Sequence, residues 1–340
     1  MHRRTRRTLW VVAAVLVVLA AALFLRSKAP PEAARLLPES DGILYVNFKP
    51  IRAFLKKDMK PPRRDPDYQD FVDATGVDWE RDLDQAAIAL HRMPDPKGPN
   101  GPVAYSLVLV GNLTGARFNG WLEKQATSRE SYDGHTVYSI KSQDRTVRVA
   151  QIGYDMIGVS NYPGAEMIHS MLDRHRTAAV PFSGSTLLTQ HYRDIPLLSV
   201  AWGVGQIALP FSESGAIHIL GFTVPIDVDS TLIASAAPTL AHAGSVNLKL
   251  EEIAPADDVA TSQAAALATL ITMARGFTAS LAVNPANEGL KQALETAEVT
   301  RKNHRVIITA NLTPAVLTQL SKAADSEADQ TVVPAAPAPH

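Results

Sequence analysis

The sequence contains no cysteine among its 340 residues, and this absence excludes several kinds of chemistry. Disulfides, thiolate metal sites, cysteine nucleophiles and the lipidated cysteine of a bacterial lipoprotein all require a thiol. The sequence also has no Gly-x-Ser-x-Gly elbow and no phosphate-binding loop. His169 and His175 are six residues apart, so they fall on different faces of a helix and lack the spacing of a zinc-binding pair. We therefore predict no catalytic, cofactor-binding or metal-binding residue.

One glycine pattern is close to a dinucleotide-binding turn but lacks its context. Gly203 and Gly205 follow an apolar strand at the spacing of that turn. Pro210 stops any helix of useful length after them. We predict instead a strand with a glycine kink, in which Trp202 is buried.

The charges are unevenly distributed along the chain. The first 28 residues hold six of the 33 Lys and Arg residues and none of the 34 acidic residues, so the remainder has seven more acids than bases. A mildly acidic body without a long basic stripe argues against nucleic acid as a partner.

The N-terminal region has the pattern of a membrane anchor. Residues 9–25 form 17 positions without a charge or a helix breaker, which span about 26 Å as a helix, just enough for a bilayer core. Four arginines precede this run in the basic tail 1–8. By the positive-inside rule we predict a cytoplasmic N-terminus and an extracytoplasmic, periplasmic body on the bacterial inner membrane.

Two other export signals compete with an uncleaved anchor. A cleaved signal peptide also combines a basic start with an apolar run, although this run exceeds the usual length and Pro30 and Pro31 follow the only small-residue site. The stretch 5–10, TRRTLW, matches a twin-arginine signal only in part. The anchor is the interpretation that we follow.

Composition and periodicity divide the rest of the chain. The predicted parts are a linker at 26–39, a first α/β module at 40–180, an irregular connecting segment at 181–228, a second α/β module at 229–324 and a disordered tail at 325–340. The fold class is therefore α+β, behind a single transmembrane helix.

Short matching stretches indicate that the two modules are related. Asn112 and Asn311 both lie in Asn-Leu-Thr after an apolar run and are 199 residues apart, while Asn47 and Asn247 are 200 apart. Two matches at nearly one offset favour a duplication. Each half is then expected to be a β-α-β-β-α unit of ferredoxin-like type with its own antiparallel sheet, and Thr114 is expected to cap a helix.

In the second half this order predicts a helix over 255–275, then strands at 276–284 and 304–312, then a helix over 313–322. In the first half, Phe118, Trp121 and Leu122 are expected on one face of a helix that packs against its sheet.

Several blocks of the sequence resemble an uncharacterised family of bacterial exported or membrane-anchored proteins. These blocks are LLPESDGILYVNFKPIRAF (36–54), DATGVDWERDLDQAAIAL (73–90), GARFNGWL (115–122), YDGHTVYSI (132–140) and LLSVAWGVGQI (197–207). The resemblance implies a bacterial envelope protein with duplicated α/β modules, and it carries over no catalytic residue.

Two classes of function remain open at this point. The first is a non-enzymatic binding or scaffolding protein of the envelope, with another envelope protein as partner. The second is an extracytoplasmic hydrolase or transferase with a site between the modules. The interaction surfaces that the sequence suggests are the segment around Trp202 and a basic loop near the membrane, formed by Lys56, Lys57, Lys60, Arg63 and Arg64.

Overall fold

The computed structural model describes most of the chain from residue 29 to residue 317. The described residues are 29–55, 66–98, 101–142, 144–178, 180, 183–206, 216–219, 222–225, 230–239, 244–279, 285–314 and 316–317. The basic tail 1–8, the apolar run 9–25 and the tail 325–340 lie outside them, so these three predictions keep their standing as predictions. Among the helices of the described residues, none has the length and apolarity to cross a bilayer.

The core of the molecule is a single antiparallel sheet of twelve strands. Its order is β13-β14-β12-β11-β8-β1-β2-β3-β7-β6-β5-β4, and β9 and β10 form a separate hairpin. The strands in chain order are β1 Gly42–Asn47, β2 Leu83–Arg92, β3 Val103–Gly111, β4 Ser128–Tyr132, β5 His135–Ser142, β6 Arg145–Gln151, β7 Met156–Ser160, β8 Ala201–Gln206, β9 Ala216–Ile219, β10 Phe222–Pro225, β11 Thr231–Pro238, β12 Val246–Ile253, β13 Glu298–Lys302 and β14 Arg305–Leu312.

Helices cover parts of both faces of this sheet. In chain order they are α1 Glu32–Arg35, α2 Phe48–Leu55, α3 Pro66–Thr75, α4 Trp79–Asp82, α5 Ala116–Gln125, α6 Glu166–Arg176, α7 Thr186–His191, α8 Asp257–Ala279 and α9 Pro285–Glu295. A 3₁₀ turn, Tyr192–Asp194, follows α7. The mixed α+β class predicted from the sequence is confirmed.

The two predicted modules do not have separate sheets. β1 pairs with β8, with Leu44 opposite Gly203, so strands of the first module and of the connecting segment join the strands of the second in one continuous sheet. The expectation of two sheets is therefore wrong. The unpaired N–H and C=O groups of an edge strand form hydrogen bonds with a further strand, and sequence periodicity does not reveal which two strands pair.

The strand order is alike on the two sides of the β1–β8 pair. β1, β2 and β3 form a meander, α5 follows, and the returning strand β7 pairs with β3. β8, β11 and β12 form a second meander, α8 and α9 follow, and the returning strand β14 pairs with β12. In this arrangement β1 corresponds to β8, whereas the offset of 200 residues aligned it with β12.

The repeated asparagines have a local explanation instead. Asn47 ends β1, Asn112 follows β3, and Asn247 lies opposite Asn311 on β12 and β14, with their side chains 3.1 Å apart. All four lie at the same end of the sheet, where strands enter or leave it. The recurrence of this sequence therefore marks the places where strands end, because Asn tolerates the backbone conformations of turns.

Of the strand predicted at 276–284, residues 280–284 lie outside the described residues, and residues 276–279 are helical. Residues up to Ala279 belong to α8, whose buried residues Ala260, Leu267 and Ala274 recur every seven positions along one face. Pro285 then begins α9, at the first helical position that proline favours. The helix continues through Gly276, because a glycine inside a helix costs only about 1 kcal/mol. The strand that follows the two helices is β13.

Residues 29–39 are part of the core and not a linker. Ala33, Ala34, Leu36 and Leu37 are all 0% exposed and pack in the same cluster as Ile43 and Val204. α1 lies against β2 and β3 on one face of the sheet. The proline and alanine composition suggested a spacer, but alanines in a short turn of helix can approach a sheet closely because they have little side-chain volume.

The opposite face of the sheet carries two further clusters. Phe118 and Leu122 are buried and Trp121 is partly buried against β3 and its neighbours, which confirms the predicted face of α5. Leu267 of α8 packs on Val306 of β14. Thr114 does not cap α5: its Oγ1 donates to the carbonyl of Tyr154 at 2.8 Å, and Gly115 occupies the cap position.

Candidate functional site

Trp202 lies in the core, which removes it from the surfaces that could meet a partner. Its side chain is 4% exposed and stacks on Tyr45 with ring centroids 5.3 Å apart, while Tyr192 meets it edge-on at 5.7 Å. Burial raises the pKa of the Tyr45 hydroxyl to about 12, and Gln85 accepts a hydrogen bond from it at 3.0 Å. The buried tryptophan predicted for a glycine-containing strand is thus what the structure shows.

The other predicted surface is the basic loop. Lys56, Lys57, Lys60, Arg63 and Arg64 lie outside the described residues. Their contact with a membrane or a partner stays a prediction.

The structure brings together a charged cavity that the sequence did not suggest. It has a volume of about 410 Å³ and lies where the 3₁₀ turn meets the end of the sheet formed by β12, β13 and β14. Its lining residues are Arg193, Asp194, Lys249, Glu251, Lys302, Asn303, His304, Arg305 and Ile307.

The strand register explains how the charges of the cavity meet. Glu251 of β12 lies opposite Ile307 of β14 and Ile233 of β11, so its carboxylate stands in an otherwise apolar row and is only 2% exposed. Side chains alternate between faces along a strand, so Lys249 shares the face of Glu251. The cluster is thus a product of pairing, and no local motif encodes it.

Ion pairs hold both carboxylates of the cavity. Glu251 is 2.5 Å from Lys249 Nζ and 2.5 Å from Arg305 Nη1, and Asp194 Oδ1 is 3.1 Å from the same Nη1. Burial alone lowers the pKa of the Arg305 guanidinium, but its hydrogen bonds to Glu251 and Asp194 outweigh burial and raise that pKa above its ordinary value. Arg305 therefore stays charged and ties the 3₁₀ turn to the last strand.

The cavity has more positive than negative charge. Four of its lining residues are Lys or Arg and two are acids. Lys249 and Arg305 are engaged with the acids, whereas no ion pair joins Arg193 or Lys302 to an acid within the described part of the chain. The surplus charge is that of these two side chains, and it favours an anionic ligand.

His191 lies beside this network. Burial lowers the pKa of its imidazole, and Asp194, with Oδ2 3.9 Å from Nδ1, opposes only part of that effect. The ring is therefore neutral at pH 7 and adds no charge to the cavity. Among the described residues, no group of three or more His, Asp or Glu is placed to hold a metal ion.

A hydrogen-bonded row of Ser and His lies elsewhere in the core. His91 Nε2 is 2.9 Å from Ser106 Oγ, which is 3.0 Å from Ser160 Oγ. Both serines are fully buried across β3 and β7. No substrate reaches a hydroxyl in that position, so this row joins strands and is not a nucleophilic centre.

The sequence offered one signal for the cavity that local analysis passed over. Lys249 and Glu251 are two positions apart on one strand, separated by Leu250, in LKLEE. Such spacing predicts that both charges share a face. Arg305 and Asp194 could not be added to them without the strand pairing, because 111 residues separate the two.

Comparison with known proteins gives matches to solved structures at low sequence identity. No family model matches the chain, and no curated protein matches it. Crystal form III of TP0453 has a TM-score of 0.44 at 12% identity over 87% of this chain and 99% of that one. Crystal forms I and IV have TM-scores of 0.40 and 0.42 at 11% identity, over 86% and 85% of this chain and 97% and 96% of those chains. The resemblance to uncharacterised bacterial exported proteins stays a prediction.

Proposed function

We propose that the chain is a non-enzymatic binding or scaffolding protein of the bacterial envelope. Residues 9–25 anchor it in the inner membrane with residues 1–8 in the cytoplasm, and the body lies in the periplasm. The charged cavity binds an anionic group of an envelope component, which is a protein side chain or a small molecule. The arginines before the apolar run support the topology.

The observation that carries the binding role is the state of the cavity's charges. Both carboxylates are already neutralised by Lys249 and Arg305. An incoming anion therefore meets the field of Arg193 and Lys302 without repulsion from an unpaired acid on the described walls. Charge-assisted hydrogen bonds of this kind contribute about 1.5–3 kcal/mol each.

The same pairing disfavours the hydrolase or transferase interpretation at this cavity. A general acid must carry a proton, and a general base must have a free lone pair close to the substrate. Glu251 is buried between two cations and Asp194 is bound to Arg305, so both carboxylates are committed to holding the fold.

Titration calorimetry with inorganic pyrophosphate tests the binding role. We expect the full chain in detergent to bind pyrophosphate, and the double substitution Arg193→Ala with Lys302→Ala to weaken binding at least tenfold. Lys97→Ala is the matched control, because Lys97 is an exposed cation in the turn between β2 and β3. Equal binding by the double variant would remove the cavity from the proposal.

A reporter enzyme fused to the C-terminus tests the topology. We expect activity from alkaline phosphatase, which is active only outside the cytoplasm, and none from a cytoplasmic reporter at the same position. Changing Arg3, Arg4, Arg6 and Arg7 to glutamine should weaken or invert this orientation. Cytoplasmic activity of the unchanged chain would overturn the membrane topology.

A further inference from the structure

Four large apolar side chains are exposed at one end of the sheet. Tyr154 is 92% exposed, Leu198 is 69% exposed, and Leu197 and Val180 are both more than half exposed. They come from three different loops. Tyr154 lies between β6 and β7, Val180 follows α6, and the two leucines precede β8.

Contacts place these loops at the same end, and the end of α6 before Val180 also reaches it, because the ring of His175 lies against Gly153, next to Tyr154. The amide of Gly111, at the end of β3, donates to the carbonyl of Asp155, next to Tyr154, at 2.9 Å. Val200, two residues after Leu198, accepts from Asn47 at the end of β1 and donates to Ala236 of β11. β1 and β3 both run antiparallel to β2, which lies between them, so their last residues lie at the same end of the sheet.

Leu198 is held in an unusual backbone conformation as well as being exposed. Its φ is 69°, in the left-handed region that favours glycine or asparagine, and a leucine there costs about 1 kcal/mol of backbone energy. Most of its side chain lies in water within the described body. Contact with an apolar phase outside the body would remove that apolar surface from water.

The path of the chain from the proposed anchor indicates that this apolar phase is the lipid bilayer. Arg35 donates to the carbonyl of Val180 at 2.7 Å and to that of Ala178 at 2.8 Å, so the N-terminal part of the body meets the loop that carries Val180. The apolar run ends at residue 25 and the described body begins at residue 29. Four residues span at most about 14 Å, so an anchored chain keeps this end of the body next to the bilayer.

We propose that Tyr154, Val180, Leu197 and Leu198 form a lipid-contacting surface that seats the body directly on the membrane. This inference rests on the proposed anchor, and it makes residues 29–39 a rigid attachment in place of a flexible spacer. The turn between β2 and β3 supplies a reference at the opposite end of the sheet. Lys97 is exposed in that turn, which joins the end of β2 to the start of β3, whereas Asn47 and Gly111 mark the end that carries the surface.

The absence of cysteine permits a direct measurement with single labels. Tyr154→Cys, Val180→Cys and Leu198→Cys, each carrying an environment-sensitive fluorophore, are compared with Lys97→Cys in the full chain. The chain is reconstituted into vesicles of phosphatidylethanolamine and phosphatidylglycerol. We expect brominated acyl chains to quench the first three labels at least twofold more than the label at Lys97, and iodide in the buffer to quench them less.

The possible results separate the two proposals. Failure of the chain to float with the vesicles overturns the anchor and the lipid-contacting surface together. Flotation with all four labels open to iodide leaves the anchor intact and overturns the surface. Protection from iodide without quenching by bromine means that a second copy or another protein covers the surface, and this also overturns contact with lipid.

Discussion

Arg305, on the last strand of the sheet, lies 3.1 Å from the carboxylate of Asp194, which is 111 residues earlier in the chain. The same guanidinium contacts the buried carboxylate of Glu251. One side chain thus connects the 3₁₀ turn to β12 and β14, and it completes one wall of the cavity. Loss of this side chain should therefore affect the fold, whereas loss of the free cations beside it should affect only binding.

Arg305→Ala should lower the free energy of unfolding by about 3 kcal/mol. Removing one partner of a buried ion pair leaves an uncompensated charge in a poorly solvated position, and Lys249 compensates Glu251 only in part. Urea unfolding followed by circular dichroism measures the loss. Arg193→Ala is the control, since an exposed cation without an ion pair among the described residues should change stability by no more than about 0.5 kcal/mol. Equal stability of the two variants would contradict the role given to Arg305.

Trp202→Ala should destabilise the body by about 3–5 kcal/mol, because it removes a core aromatic ring that stacks on Tyr45. Trp202→Phe keeps an aromatic ring there and should lose less. The measurement is the urea midpoint at constant unfolding slope. A cost below about 1 kcal/mol for the alanine variant would mean that Trp202 is a surface residue after all.

A chain that begins at residue 29 should fold cooperatively, and one that begins at residue 40 should not. The shorter chain lacks Ala33, Ala34, Leu36 and Leu37, which fill the core over β2 and β3. Thermal unfolding followed by near-ultraviolet circular dichroism distinguishes the two. Similar cooperative transitions in both chains would restore residues 26–39 as a linker.

Stability should fall as the pH drops from about 7 towards 5. Burial lowers the pKa of His91, and the charge of Asp41 opposes only part of this effect. The unfolded imidazole takes up its proton at about 6.5, before the folded one does, so protonation favours the unfolded chain. The loss is at most about 1.4 kcal/mol per pH unit for each such histidine, and His191 contributes with the same sign.

His91→Gln should reduce this pH dependence, because glutamine can keep a hydrogen bond with Ser106 and does not titrate. Burial raises the pKa of Glu39, but hydrogen bonds from Thr186 and Arg174 outweigh burial and lower it. Protonation of this carboxylate therefore reduces stability only below about pH 4.5. Urea unfolding at pH 7.5, 6.5 and 5.5 measures the slope, and an unchanged slope in His91→Gln would exclude this cause.

The local sequence was sufficient to predict an element whose structure depends on the residue pattern of that element alone. The run that contains Ile43 and Tyr45 predicts β1, and the spacing of Phe118 and Leu122 predicts the buried face of α5. It was insufficient at Gly276, where a strand was expected. There the decisive factor was the face of α8 that packs on β13 and β14, a contact outside the local window.

The sequence by itself determined which chemistries are missing, how the charges divide between the N-terminus and the body, and which segments favour strand or helix. These properties follow from side-chain type and from periods of two or 3.6 residues along one segment. Only the tertiary structure decided that one sheet contains both halves and that residues 29–39 are in the core. It also brought Asp194, Glu251 and Arg305 together, because backbone groups at a strand edge pair with whichever distant strand completes the packing, and no local period records that choice.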